Sequence, residues 1–314
     1  MGLSCINEFK MNYTKIFHQE VKPRLEKLEG ERRHTKFVAL IVSIFAFIFS
    51  VVLVSIFICV RNEHPDLLAT IIVSLLFASI SVVRVQRHYK RKFEKKLKFE
   101  IMPVLMPAFG DFQWLPTSLI GMAEIRRSKL FTRFDNRTTD DNFKGSYKNV
   151  PINISETKLT YTTYDSKGRR HTYTEFQGVL ISIEIPKKFT GHTIINEKSI
   201  FSGGPYKEVK LEDPEFSKRF IVRSNDQVEA RYLLTTAFMQ RYKGIQRAFR
   251  GSSICASFLD NKLLLAVGVN KDLFSLGDLN KPADDTKQFT VFLNEIVSIF
   301  EMIEDLKLYQ DIGM

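Results

Sequence analysis

Two uncharged apolar stretches, Phe37–Val60 and Leu67–Val83, constrain this chain most, because only the six residues Arg61–Asp66 separate them. At ~1.5 Å per residue the first makes a helix of about 36 Å, enough to cross a bilayer core of about 30 Å with some tilt. The second makes about 26 Å and spans if Arg84 and Arg87 snorkel to the headgroups. So short a link holds no domain, so the two helices form an antiparallel hairpin. Ser74 and Ala78 lie four apart, placing two small residues on one helix face. That face admits close approach of the other span or of a second copy, so a homo-oligomer stays open. No Asp, Glu, Lys or His lies mid-span, so the hairpin reads as an anchor rather than an ion or proton path.

Charge distribution supplies the orientation. The formal net charge is +11, which suits nucleic acid or an anionic membrane, and position decides between them. Lys22, Arg24, Lys27, Arg32, Arg33 and Lys36 precede the hairpin. Arg84, Arg87, Lys90, Arg91, Lys92, Lys95, Lys96 and Lys98 follow it, whereas the link holds Arg61 against Glu63 and Asp66. Positive flanks stay cytoplasmic, so both termini are expected in the cytosol. Cys5, Cys59 and Cys255 are too few and too scattered for a disulfide framework. Gly2-Leu3-Ser4-Cys5 lacks a preceding apolar h-region, and Ile6 stands where a myristoylation signal wants Ser or Thr.

The flank 1–36 is expected to contain a short amphipathic helix, broken or kinked at Pro23. It either lies on the membrane surface or docks on a soluble domain. After Val83 the second span continues as a basic juxtamembrane helix, with Tyr89, Phe93, Leu97 and Ile101 on one face until Pro103 and Pro107 end it. Arg84, Arg87, Lys90, Arg91, Lys92, Lys95 and Lys96 are its candidate contacts to anionic lipid headgroups, unless they serve topology alone.

From Phe143 to Val222 the apolar period becomes two. Val150, Ile152 and Ile154 alternate, as do Leu159, Tyr161 and Thr163; a turn at Asp165–Gly168 leads into Arg169–Phe176. Val179, Ile181, Ile183 and Ile185 predict a half-buried strand, and Phe201–Pro205 a loop. Ser224 or Asp226 caps a helix running to a weak point at Gly244, with Gln227 or Glu229 in capping-box position. Ile254, Ala256 and Phe258 pair with Leu263, Leu265 and Val267 across Asp260-Asn261. A helix over Lys281–Asp305, with Asp284 and Asp285 at its start, buries Phe289, Phe292, Ile296, Ile299, Phe300, Ile303 and Leu306. The predicted organisation is a flank (1–36), a transmembrane hairpin (37–85, spans 37–60 and 67–83) and a juxtamembrane helix with an α+β domain (86–314). That domain has a mainly antiparallel sheet covered by two long helices.

The run Phe220-Ile-Val-Arg-Ser-Asn-Asp-Gln-Val-Glu-Ala-Arg-Tyr-Leu-Leu-Thr235 resembles the hallmark of a bacterial domain-of-unknown-function family, number 3137. Phe143-Lys-Gly145, Phe176-Gln-Gly178, Lys188-Phe-Thr-Gly191, Val209–Phe216 and Ser257-Phe-Leu-Asp-Asn-Lys-Leu264 are similar to its strand motifs in the same order. The resemblance spans about Leu130–Leu308. It implies a membrane hairpin ahead of the domain, the bacterial inner membrane as location, LemA-type membrane proteins as partners, and no known activity.

Asp226, Gln227, Glu229 and Arg231 are the only chemical constellation that stands out. Carboxylates beside an Arg at a helix start suit a ligand or acid–base work, but capping explains the spacing with no added assumption. His171 and His192 lack metal-ligand spacing, and Gly203-Gly204-Pro205 lacks the Lys-Ser/Thr of a phosphate loop. Cys255 reads as a small core residue. No cofactor, metal or catalytic residue is assigned. The leading reading is a membrane-anchored cytosolic binding or scaffold module acting through lipid or protein contacts; the alternative is a membrane-tethered enzyme with a non-standard site. Nucleic acid ranks behind both.

Overall fold

The computed structural model describes residues 2–61, 66–186, 189–198, 206–270, 274, 279–282 and 287–305. The expected loop Phe201–Pro205 and the positions Asp284, Asp285 and Leu306 lie outside the described residues. The chain divides into two units, Lys15–Leu105 with Ser275–Phe289, and Met1–Thr14 with Met106–Phe274 and Thr290–Met314.

Pro23 does not break the N-terminal helix. Helix α1 (Gly2–Ile16) runs into a π-helical turn, Phe17–Val21, and resumes as α2 (Lys22–Arg61). The wider turn directly before Pro23 absorbs the ring and missing N–H that would disrupt a regular helix. Tyr13, Phe17, Val21, Leu25 and Leu28 recur every three or four residues and are all buried. That stripe is therefore not available to a surface-lying helix. Helix α3 (Leu67–Leu105) carries Pro103 inside its last turn and gives way to a 3₁₀ turn at Met106–Phe109. Pro107, rather than Pro103, falls where the α-helix gives way.

Helices α2 and α3 run antiparallel in step. Ser55 meets Ser74 (3.1 Å), Ser81 donates to Ser50 (3.4 Å), Gln86 donates to Ser43 (2.9 Å), and Lys96 pairs with Glu31. Ala39, Ser43, Thr70, Ser74 and Ala78 are buried between them, while Phe45, Phe49, Phe57, Leu68, Leu76 and Phe77 face outward. Both helices are long and apolar enough to cross a membrane, by length and composition. Beyond Lys36 and Arg84 the pattern largely inverts. Leu25, Leu28, Phe93, Leu97 and Ile101 turn inward there and Lys36, Arg84 and Arg87 turn outward, although Arg32 and Lys98 are buried and Phe99 is exposed.

The second unit is built on one antiparallel sheet. In chain order its elements are β1 (Gln113–Leu115), α4 (Met122–Arg127), β2 (Asn136–Tyr147), β3 (Val150–Tyr164), β4 (Arg170–Glu184), β5 (Thr193–Glu197) and β6 (Lys207–Glu208). There follow α5 (Pro214–Arg219), β7 (Phe220–Ser224), α6 (Gln227–Leu233), α7 (Thr236–Ala248), β8 (Ser253–Leu259), β9 (Lys262–Gly268) and α8 (Lys287–Asp305). The strand order is β1-β2-β3-β4-β9-β8-β5-β7-β6. Lys148 and Asn149 both take positive φ (51° and 63°) at the β2–β3 turn, as a tight hairpin requires. The single helix expected from Ser224 to Gly244 is two, because the chain breaks at Leu234 and Thr235 starts α7 by accepting from the Phe238 N–H at 3.2 Å.

Helices α7 and α8 share one face of the sheet. Phe238 meets Phe258 (5.5 Å), Phe292 meets Phe143 (5.7 Å), Phe300 stacks on Tyr147 (4.5 Å, 8°), and Arg241 pairs with Glu301 between the helices (3.3 Å). The opposite face is covered as well. Ile120, Ile125, Leu130 and Phe134 close over Leu159, Phe176, Leu180, Ile194, Leu264 and Ala266. Strand β4 is thus buried on both faces over Val179–Ile183, not half-buried as its alternation predicts, because α4 and its following loop lie over Leu180 and Ser182.

Candidate functional site

Two of the resemblance motifs, the Phe220–Thr235 run and the loop at Phe189–Gly191, meet at the start of α6. Asp226 is the N-cap, accepting from the Val228 and Glu229 N–H groups at 3.0 and 2.9 Å. Those amides, with the Thr190 hydroxyl, hold its carboxyl below the ordinary carboxylate range. Ser224 supports the cap from behind, accepting from the Asp226 N–H at 3.0 Å. Glu229 does not complete a capping box. Its carboxylate turns to the neighbouring loop and accepts from the N–H groups of Thr190 (2.9 Å) and Gly191 (2.8 Å). Asn225 adds a third bond, from the His192 N–H at 2.6 Å. A Cβ on Gly191 would sit 2.6 Å from the Asp226 Cβ, so only glycine lets this loop close on the helix start.

The four singled-out residues therefore do different things. Asp226 and Glu229 are used in internal hydrogen bonds. Gln227 donates to the Ser224 carbonyl at 3.2 Å. Arg231 is exposed and makes no ion pair among the described residues. The structure brings three of the four into the helix start and leaves the fourth in solvent.

His192, beside this clamp, is the most chemically suggestive group, and its surroundings were not legible from spacing. Its Nε2 lies 2.9 Å from Ser257 Oγ and 3.1 Å from the Ser128 carbonyl; its Nδ1 lies 3.1 Å from Tyr206 Oη. A hydroxyl against an imidazole is the geometry of a nucleophile and its base. The Ser128 carbonyl decides otherwise. A carbonyl only accepts, so Nε2 carries the proton and donates, leaving Nδ1 to accept from Tyr206. Burial lowers the His192 pKa, keeping the ring neutral. In that tautomer Nε2 cannot take a proton from Ser257, which is itself buried. His192 is a buried strut between β5, β8 and the end of α4.

Burial pushes the Cys255 thiol up to about 12, which removes the thiolate a nucleophile needs. Among the described residues no His, Cys, Asp and Glu group has the arrangement to hold a metal. Along α3, Arg84, Arg87, Arg91, Lys92 and Lys95 are exposed. Lys90 pairs with Glu94 at 3.8 Å, and Lys96 with both Glu31 and Glu100.

The sheet also extends a two-stranded ribbon, Thr160–Tyr164 against Arg170–Thr174, past the strands that flank it. Tyr161 and Tyr173 stack across it at 5.5 Å with Arg133 over Tyr161. Asp165 organises its tip by accepting from the N–H groups of Lys167 and Arg169. The hairpin is legible in the sequence; its aromatic and basic face is not.

Residues 174–308 match the model of a family described as protein of unknown function, DUF3137. The match begins at Thr174, so Phe143-Lys-Gly145 falls outside it. A crystal structure titled as the mycobacterial trehalose monomycolate transport factor A, TtfA, is similar at 10% identity and a TM-score of 0.35. That likeness covers 62% of this chain and 88% of the other, and at that score it carries no argument. No curated protein matches the chain.

Proposed function

We propose that this chain, which its residues 174–308 assign to the DUF3137 family, is a membrane-anchored binding module. Its hairpin crosses the bacterial inner membrane, and its α+β domain and both termini face the cytosol. One observation carries the reading. Along the two spans Ala39, Ser43, Thr70, Ser74 and Ala78 lie buried between the helices, while Phe45, Phe49, Phe57, Leu68, Leu76 and Phe77 point outward. In water the reverse arrangement would be the stable one, whereas in lipid the apolar exterior costs nothing and small polar residues hold the helices together. The inversion of that pattern at Lys36 and Arg84 supports a membrane boundary there.

That boundary also limits which cations reach lipid. At ~1.5 Å per residue Arg84, Arg87 and Arg91 lie within about 12 Å of Val83, whereas Lys95 and Lys96 lie about 18–20 Å beyond it. Arg84, Arg87 and Arg91 are the headgroup contacts we favour, and Lys96 is better read as holding α2 to α3. The competing enzyme reading rests on His192 and Ser257, and the tautomer set by Ser128 disfavours it. A reporter that fluoresces only in the cytosol, fused beyond Leu308, is expected to be bright, and one active only outside to be silent. Activity of the second would overturn the orientation.

A further inference from the structure

We propose that the cleft between α5 and α7 binds a phosphoryl group, carried by a lipid headgroup or by a soluble phosphate. The cleft has a volume of about 450 Å³ and is lined by Glu215, Arg219, Gln240, Lys243 and Arg247. Three cations face one carboxylate there. Gln240, Lys243 and Arg247 come from one face of α7, at the three- and four-residue spacings that make helix neighbours.

Arg219 distinguishes this cleft from a merely basic surface. Its Nη2 is tied from behind, donating to Glu197 Oε1 at 2.8 Å and Gln246 Oε1 at 2.6 Å. Gln246 in turn donates to Glu197 at 3.2 Å. Both anchors are buried, and the Phe220 ring lies 5.0 Å from the guanidinium carbon. Nη1 and Nε have no partner among the described residues. A guanidinium fixed on one side by a buried carboxylate presents its remaining N–H groups without losing side-chain freedom on binding. That is the preparation a tetrahedral dianion needs, since its oxygens each take one or two charge-assisted hydrogen bonds.

The rest of the lining fits the same ligand. Lys243 pairs with Glu215 at 3.1 Å, but the Glu215 side chain is 82% exposed, so an incoming anion displaces it at little cost. Arg247 is exposed at the rim, and Gln240 supplies an uncharged donor. The cleft lies wholly within the second unit, so this proposal stands whether or not the hairpin crosses a membrane.

The test uses the full chain in phosphatidylcholine nanodiscs, titrated by calorimetry with inorganic phosphate, dihexanoyl phosphatidic acid and dihexanoyl phosphatidylcholine. Phosphate and the phosphatidic acid are expected to bind, and the phosphatidylcholine to bind at least about tenfold more weakly. Phosphatidic acid tighter than phosphate assigns the cleft to lipid headgroups; equal affinity assigns it to soluble phosphates. Lys243→Gln with Arg247→Gln should weaken both by about tenfold or more. Arg169→Gln with Arg170→Gln, the same charge change at the ribbon tip, should not. Glu215→Gln should tighten binding, a direction that loss of folding cannot produce. No binding of either phosphate, equal loss in both double variants, or weaker binding by Glu215→Gln overturns the proposal.

Discussion

Glu295 is the buried ionisable group whose state most directly tests the packing of the sheet against α8. The residue is 3% exposed, and burial pushes its carboxyl from 4.5 up to about 8, against a smaller opposing pull from Arg250. A native carboxyl with a raised pKa keeps its proton after the unfolded chain has lost it. Stability is therefore unaffected below about pH 4.5, falls between about pH 4.5 and 8, and levels off above. At ~1.4 kcal/mol per pH unit the loss across that window is roughly 4–5 kcal/mol. Glu295→Gln keeps the shape and stays neutral at every pH. It should match the parent at pH 5 and melt roughly 10 °C higher at pH 9, at about 2–4 °C per kcal/mol for a domain of this size. Thermal unfolding of the full chain in nanodiscs, followed by circular dichroism from pH 5 to 9, reads the difference. Parallel curves would show that burial leaves the Glu295 carboxyl unshifted, and a less stable variant at pH 9 that it is ionised and paired with Arg250; either refutes the reasoning.

Three further outcomes follow from named contacts. Asp226→Ala removes the acceptor for two helix-start amides and should lower the melting temperature by about 2–4 °C at pH 7. Because the Asp226 pKa is depressed, the same variant should differ less from the parent as pH falls into the acid range; a constant difference would contradict the cap. Gly244→Ala should stabilise α7 by up to about 1 kcal/mol, since a Cβ there meets nothing within 4 Å, and a lower melting temperature would mean that the position is crowded. Arg84→Gln, Arg87→Gln and Arg91→Gln together should reduce the anionic lipid retained on extraction, as should raising the salt, because each contact is worth ~1 kcal/mol and is screened. Lipid content insensitive to both, measured by mass spectrometry of the purified protein, would assign these charges to topology alone.

What the sequence made legible were the features set by near neighbours. The apolar stretches, the small-residue face at Ser74 and Ala78, and the hairpins at Asp165–Gly168 and Asp260-Asn261 depend on residues a few positions apart. Pro23 does not break the helix, because a π turn relieves the proline at the cost of one irregular turn, and nothing in the composition of Phe17–Val21 announces it. The break at Leu234-Thr235 misled because an apolar stripe can continue through two helices separated by a non-helical residue pair. Burial of both faces of β4 depends on a loop more than forty residues earlier. The site is the extreme case. Glu229 reaches Gly191 across 38 positions, His192 reaches Ser257 across 65, and Arg219 reaches Glu197 across 22.

That contrast bears on where function lies. A run as distinctive as Ser224–Arg231 invites reading as an active site, yet Asp226, Asn225 and Glu229 are satisfied by Thr190, Gly191, His192 and the helix amides. Polar groups so engaged lose hydrogen bonds if they turn to a ligand, and each buried one left unmade costs about 1–3 kcal/mol. A clamp of this kind holds the 189–193 loop and the end of β7 in fixed relation, which in turn fixes the strand carrying Glu197. Glu197 is the acceptor behind Arg219. If the cleft binds phosphate as proposed, Glu229→Gln should weaken that binding in the same calorimetric titration, through the position of Arg219 rather than through any contact of its own. Unchanged affinity would show that the clamp and the cleft are independent.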